Sequence, residues 1–200
     1  LRALTGASGM DEATSASGRT DLQQREIVAE QRVGGDIYRA TSQGSFSELV
    51  SGSKVGWYMD LVSPEEGNEG ERVIYQTQLI AGRLVVNTLI PKSSSPCDTF
   101  PGGGTLIVDP FSGANPGVPV LDANNDGVTN NDDSIDIDGV TFFLNGLRYD
   151  VGLAGALSAL RTEEGGARLF GLGIDSSDMT MDTTIGATGA ERLNWHEIVN

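Results

Sequence analysis

The stretch ERVIYQTQLIAGRLVVNTLIP, residues 71–91, decides the fold. Apolar and β-branched residues fill two runs, Val73–Ile80 and Leu84–Ile90, with only Ala81-Gly82-Arg83 between them. A short glycine-containing link between two such runs suits a hairpin, so two antiparallel strands are expected. A third strand is expected over Gly104–Asp109 (GTLIVD), ended by the turn residues PFSG at 110–113.

Strand, hairpin, strand and then Asp-x-x-x-Gly is how one blade of a β-propeller reads. A weaker echo, ARLFGL at 167–172, overlays GRLVVN at 82–87 with Arg168 on Arg83. The two lie 85 residues apart, about two blades of roughly 40–45 residues each. The fold class expected is therefore all-β, part of a modified propeller with antiparallel blades.

Upstream, GWYMDLV at 56–62 alternates Trp57, Met59 and Leu61 with Tyr58 and Asp60, the period of a strand with one buried face. Trp57 reads as a core residue, with ligand stacking the lesser alternative. Residues 1–56 are rich in Gly, Ser, Thr and Ala, with short strand-like pieces at 26–30 (EIVAE) and 36–41 (DIYRAT). They are expected to form a loosely packed N-terminal segment, and 57–200 the propeller-like portion. In LAGALSALRT at 153–162 the leucines at 153, 157 and 160 share one helical face. A helix is the expectation there; Gly155 weakens it and strand pairing competes. At the C-terminus, Trp195 and Ile198 are candidate packing anchors.

The net charge is −15 and the pI about 4.2. No lysine or arginine cluster exists to hold a phosphate backbone, so nucleic acid is not an expected partner. No apolar run reaches the roughly 18 residues of a membrane-crossing helix. The N-terminus LRALTGASGM lacks the regions of a signal peptide, and a mature or excised fragment is expected. Cys97 is the only cysteine and His196 the only histidine, which excludes a cysteine and histidine zinc site within the chain. Cys97 reads as a small structural residue or as half of a bridge to a partner outside the chain.

The acidic charge concentrates in one place. Residues 122–138 hold six aspartates and no lysine or arginine, and like charges this close either spread into solvent or recruit a cation. The stretch DANNDGVTNNDD at 122–133 puts Asp122, Asn124 and Asp126 at positions 1, 3 and 5 of a calcium loop and Gly127 at position 6. There the backbone turns through a conformation cheap only for glycine. Val128 at 7 ligates through its carbonyl, Asn130 stands at 9 and Asp133 at 12, with Asp132 as the fallback. Calcium is favoured over magnesium, which wants near-ideal octahedral geometry. The competing reading is an acidic surface turn. Prolines 110, 116 and 119 exclude an entering helix and SIDIDGVTFFL alternates as a strand, so the loop lies between extended segments. A carboxylate pair for glycoside hydrolysis is a weaker use of the cluster.

GWYMDL at 56–61, GERV at 70–73, LIAGRLVVNTLIP followed by SSSPCD, and LDANNDGV at 121–128 resemble the C-terminal domain of the PilC/PilY family of type IV pilus tip-associated adhesins and biogenesis factors. RALTGASGM and GRTDL near the start are similar to the same family. The resemblance implies a modified β-propeller outside the cell or in the periplasm of a Gram-negative bacterium, displayed at the pilus tip or outer-membrane surface. It implies a non-enzymatic module, and a calcium loop on Asp122, Asn124, Asp126, Val128, Asn130 and Asp133 linked to pilus extension against retraction, twitching motility and adhesion. Minor pilins, pilus tip subunits and a host cell surface are the partners it implies. Asn130 departs from the aspartate expected at position 9, which removes one charge. Two other classes compete: a quinone-dependent dehydrogenase propeller fragment, and a dockerin-like binding module, which normally needs two calcium loops with helices.

Overall fold

The computed structural model describes residues 2–4, 18–91, 100–161 and 167–184. The 71–91 stretch folds as its pattern demands around its turn. Ala81 and Gly82 both take positive φ, 47° and 78°, and Ile80 pairs directly with Arg83. Two positive-φ residues make the tight turn whose twist matches antiparallel strands. The strand expected over 73–80 is interrupted: Arg72–Val73 and Gln78–Ile80 each pair with the next strand, and the chain leaves the ladder between them. In that gap the Tyr75 hydroxyl donates to the Leu153 carbonyl at 2.7 Å.

In chain order the strands are β1 (Arg2–Leu4), β2 (Leu22–Arg25), β3 (Ile27–Val33), β4 (Asp36–Thr41), β5 (Gly56–Met59), β6 (Arg72–Val73), β7 (Gln78–Ile80), β8 (Arg83–Ile90) and β9 (Gly102–Val108). There follow β10 (Ser134–Ile137), β11 (Val140–Phe143), β12 (Gly146–Tyr149), β13 (Ser158–Arg161), β14 (Ala167–Leu172) and β15 (Asp178–Thr183). A seven-stranded antiparallel sheet runs β3-β4-β12-β9-β8-β6, with β7 also on β8. Three smaller sheets flank it: β1-β5-β2, β13-β14-β15 and the β10-β11 hairpin.

Successive residues of the central strands serve opposite faces, as the pleat requires. Val85 and Ile107 join Tyr38, Ala40 and Leu147 in one core, together with Leu121, Leu144, Leu153 and Leu169. Val86, Leu106 and Val108 join Ile27, Leu49, Trp57 and Met59 in the other. Every residue of β9 is buried, and its opening glycines have a steric reason. A Cβ at Gly103 would overlap the Thr88 carbonyl and approach Gly152 Cα to 3.1 Å, and one at Gly104 would stand 3.2 Å from the Arg39 guanidinium.

β12 is wedged between β4 and β9, and Asn145 at its entrance makes the joint. The fully buried Asn145 amide donates to Thr41 Oγ1 and the Ile107 carbonyl, both at 2.8 Å. Its oxygen accepts from Thr41 N at 2.9 Å and Asn115 Nδ2 at 3.1 Å. Two donors and two acceptor sites are an asparagine's full capacity.

Several expectations are corrected. Residues 19–56 are not loosely packed: β3 and β4 lie in the central sheet, β2 pairs with β5 across the expected 56/57 boundary, and Tyr38, Arg39, Ala40 and Leu49 are buried. One helix stands where none was expected, α1 (Phe46–Ser51), opened by a reciprocal Ser45 and Glu48 capping box. The helix expected over 153–162 is absent; Leu153 bridges Gly173 and β13 pairs with β14. Leu153 and Leu157 are buried while Leu160 is 60% exposed, so pairing with β14 overrides the helical spacing. The strand expected over 104–109 begins at Gly102 and ends at Val108. Asp109 instead holds the 110–113 turn, its Oδ1 accepting from Phe111 N, Ser112 N and Ser112 Oγ at 2.8–3.0 Å.

The fold is all-β in its sheets, but among the described residues no ring of four-stranded blades is formed. The strands that suggested a blade are continued through β12 into β4 and β3, and the echo at 167–172 is β14 of a separate three-stranded sheet. Trp57 is a core residue, wholly buried with its indole N–H on the Pro110 carbonyl at 3.1 Å. Cys97, Trp195, His196 and Ile198 lie outside the described residues. No helix among the described residues is long and apolar enough to cross a membrane.

Candidate metal centre

The 122–133 loop leaves the core at Leu121, which bridges Thr183 of β15, and re-enters at β10. Leu121 and Ala123 are buried and tie its first turn down; Asn124 through Val128 are exposed. Gly127 has φ +87°, the turn foreseen at position 6, and Asn125 has φ +61°. Asparagine tolerates that region better than most residues.

The candidate ligands also shape the backbone. Asp122 accepts from Asp126 N at 3.2 Å and Gly127 N at 2.9 Å. Asn124 Oδ1 accepts from Asp126 N at 2.9 Å, Asp126 Oδ1 from Val128 N at 2.8 Å, and Asn130 Oδ1 from Asp132 N at 2.6 Å. The Asn124 amide also donates to Asp126 Oδ2 at 3.1 Å.

Asp133 differs from the others. It is fully buried, and three backbone amides converge on its carboxylate: Ala123 N at 2.7 Å and Asn124 N at 3.1 Å on Oδ1, Asn130 N at 2.8 Å on Oδ2. Its own N–H donates to the Asn130 carbonyl at 3.2 Å, and its carbonyl accepts from Leu144 N at 3.0 Å.

Two of the other aspartates have duties outside the loop. Asp136 Oδ1 accepts from Gly139 N at 2.9 Å, and Asp138 takes φ +53° beside Gly139 at +80°, so both build the β10-β11 turn. None of the six aspartates between 122 and 138 forms an ion pair among the described residues. Their charge reaches Tyr38 instead, whose hydroxyl donates to Asn125 Oδ1 at 3.2 Å. Burial, then the Asp36 and Asp122 carboxylates, push its phenol up to about 12. Asp36, Tyr38, Asp122, Tyr149 and Asp182 line a cleft of about 380 Å³ beside the loop. β4 and β15 supply Asp36, Tyr38 and Asp182, which no local motif tied to the loop.

The donors suit a hard cation by type: carboxylates, side-chain amides and one main-chain carbonyl, at the spacing of a single-loop calcium site. Loop position 1 (Asp122) and position 5 (Asp126) are shared with the backbone as described above. Among the described residues no three Asp, Glu, His or Cys side chains are gathered as a ready metal-ligand set.

No family model matches the sequence. Over 192 residues, 95% of the chain, it is 30% identical to the type IV pilus biogenesis factor PilY1 homolog of Xylella fastidiosa (strain Temecula1), of whose length it spans 14%. The crystal structure of the Pseudomonas aeruginosa PilY1 C-terminal domain shares its fold with a TM-score of 0.63, at 20% identity, over 83% of this chain and 32% of that one. The likeness to PilC/PilY proteins carried by the short motifs thus extends along nearly the whole chain.

Proposed function

We propose that this chain is a calcium-binding, non-enzymatic β portion of a PilY1-type type IV pilus biogenesis factor. The observation that carries the reading is sequence similarity to such a factor along 95% of the chain, joined to a loop with calcium-site donors at the required positions. In this reading the chain is one part of a longer protein, whose further strands complete the propeller outside the segment described. It acts at the cell envelope or pilus tip, against minor pilins or tip subunits and a host surface, in assembly, twitching motility and adhesion.

Asp122, Asn124, Asp126, the Val128 carbonyl, Asn130 and Asp133 would hold the cation. Bound calcium supplies double positive charge that offsets the mutual repulsion of the loop carboxylates. The loop residues orient the donors, and Gly127 permits the reversal that brings positions 7 and 9 back toward position 1. Extracellular sites of this kind bind at about 0.1–1 mM, and a hundredfold excess of ion stabilises the fold by about 2.7 kcal/mol. The test is a calcium titration by calorimetry with melting curves of wild type and Asp126→Ala. Wild type is expected to bind and to melt higher with calcium, and the variant to lose the rise. An undiminished rise in the variant removes the loop from the account.

A further inference from the structure

We infer that Asp133 is the standing anchor of the 122–133 loop, a positioning residue that holds the other donors in place through protein hydrogen bonds alone. The inference rests on the calcium reading above and assigns its last loop position a separate duty.

Acceptor capacity is the first argument. An ionised carboxylate has about four lone-pair sites, and three of those on Asp133 already receive the amides of Ala123, Asn124 and Asn130. A buried carboxylate is costly unless it is hydrogen-bonded, and the side chain is wholly buried with no cation of the protein paired to it among the described residues. The amides therefore compensate its charge. In this loop about one acceptor site is left, so Asp133 can give a cation a single contact at most.

Position is the second argument. Ala123 and Asn124 open the loop and Asn130 stands near its end, so one side chain closes it across ten residues. The Asp133 main chain is fixed to Leu144, a core residue next to the Asn145 joint, which makes the anchor continuous with the central sheet. A cation arriving at Asp122, Asn124 and Asp126 meets a loop already closed. It changes the charge there more than the shape.

Amide hydrogen exchange of the chelator-treated protein, repeated with millimolar calcium, reads this directly. The amides of Ala123, Asn124 and Asn130 are expected to be protected in both conditions. Asp126→Asn should weaken calcium binding and leave that protection intact. Asp133→Asn keeps one oxygen for the Ala123 and Asn124 amides but turns an NH2 that cannot accept toward Asn130 N, so protection of Asn130 should be lost with or without calcium while amides of β8 and β9 stay protected. It should also weaken calcium binding about 10–100-fold, as loss of a supporting shell does. Amides that exchange freely until calcium is added overturn the inference, whatever the variants do. Protected amides in a protein that shows no calorimetric calcium binding leave the anchor standing and remove the calcium reading instead.

Discussion

The indole of Trp57 fills the space where a side chain on Gly113 would have to go. A Cβ there would overlap the six-membered ring, and Gly113 also has φ +68°. The 110–113 turn thus folds down as a lid over one core, held by Asp109 on one side and by the Trp57 N–H on the other.

Gly113→Ala is expected to destabilise the protein by about 2–4 kcal/mol, from overpacking together with left-handed backbone strain. Urea unfolding measures the loss. A change below about 0.5 kcal/mol, the size of ordinary surface substitutions, would contradict the described contact.

Arg39 is buried at the centre of a charge network. Its Nε donates to Glu30 Oε1 and its Nη1 to Glu71 Oε1, each at 2.8 Å, and Ser63 Oγ donates to Glu30 Oε2 at 2.7 Å. Arg148 joins through Glu30 Oε1 at 3.8 Å and is itself paired with Glu69 at 2.7 Å. Arg39→Met leaves two buried carboxylates without their main partner, and a loss of about 3–5 kcal/mol is expected in the urea midpoint. Adding Glu71→Gln to Arg39→Met should recover part of it, since one stranded charge is then removed.

Ala81 pays for its place in the hairpin turn with φ +47°. Ala81→Asn converts the pair to Asn-Gly, the favoured sequence for this turn. A gain of about 0.5–1 kcal/mol is expected, which for a chain of this size is a melting point higher by roughly 1–4 °C. Differential scanning calorimetry checks it.

Tyr38 makes stability fall at alkaline pH. Its phenol is pushed up to about 12, first by burial and then by nearby carboxylates, against about 10 in an unfolded chain. Between those values the unfolded chain gives up the proton and the folded one keeps it, so stability is lost as pH rises through the window. Urea midpoints at pH 9 and 11 should show a smaller drop for Tyr38→Phe than for wild type. The drop does not vanish, because burial also raises Tyr149.

What was legible in the sequence was local. The alternation of Trp57, Met59 and Leu61, the 80–83 turn and the glycine at loop position 6 each depend on residues within a few positions of one another. The capping box at Ser45 and Glu48, with Gly52 closing the helix, carried a readable signal for α1 that the glycine and serine content of the segment obscured. The wedge of β12 was not legible, because GLRY at 146–149 owes its position to Asn145 and to strands about 40 and 110 residues away. The loop donors were readable in register because one segment holds them all. Tyr38 and Asp36 on β4 and Asp182 on β15 reach the same place only through the packing of two separate sheets.

The wedge also orders events as the chain emerges from the ribosome. Strands β3 and β4 are made early and β8 and β9 follow, yet their ladders are joined only through a strand ending at Tyr149. Until that residue is synthesised each ladder shows an unpaired edge, the state in which β proteins are most open to aggregation. Such long-range closure is slow, so both edges stay open to partners and chaperones until the segment ending at Tyr149 is in place.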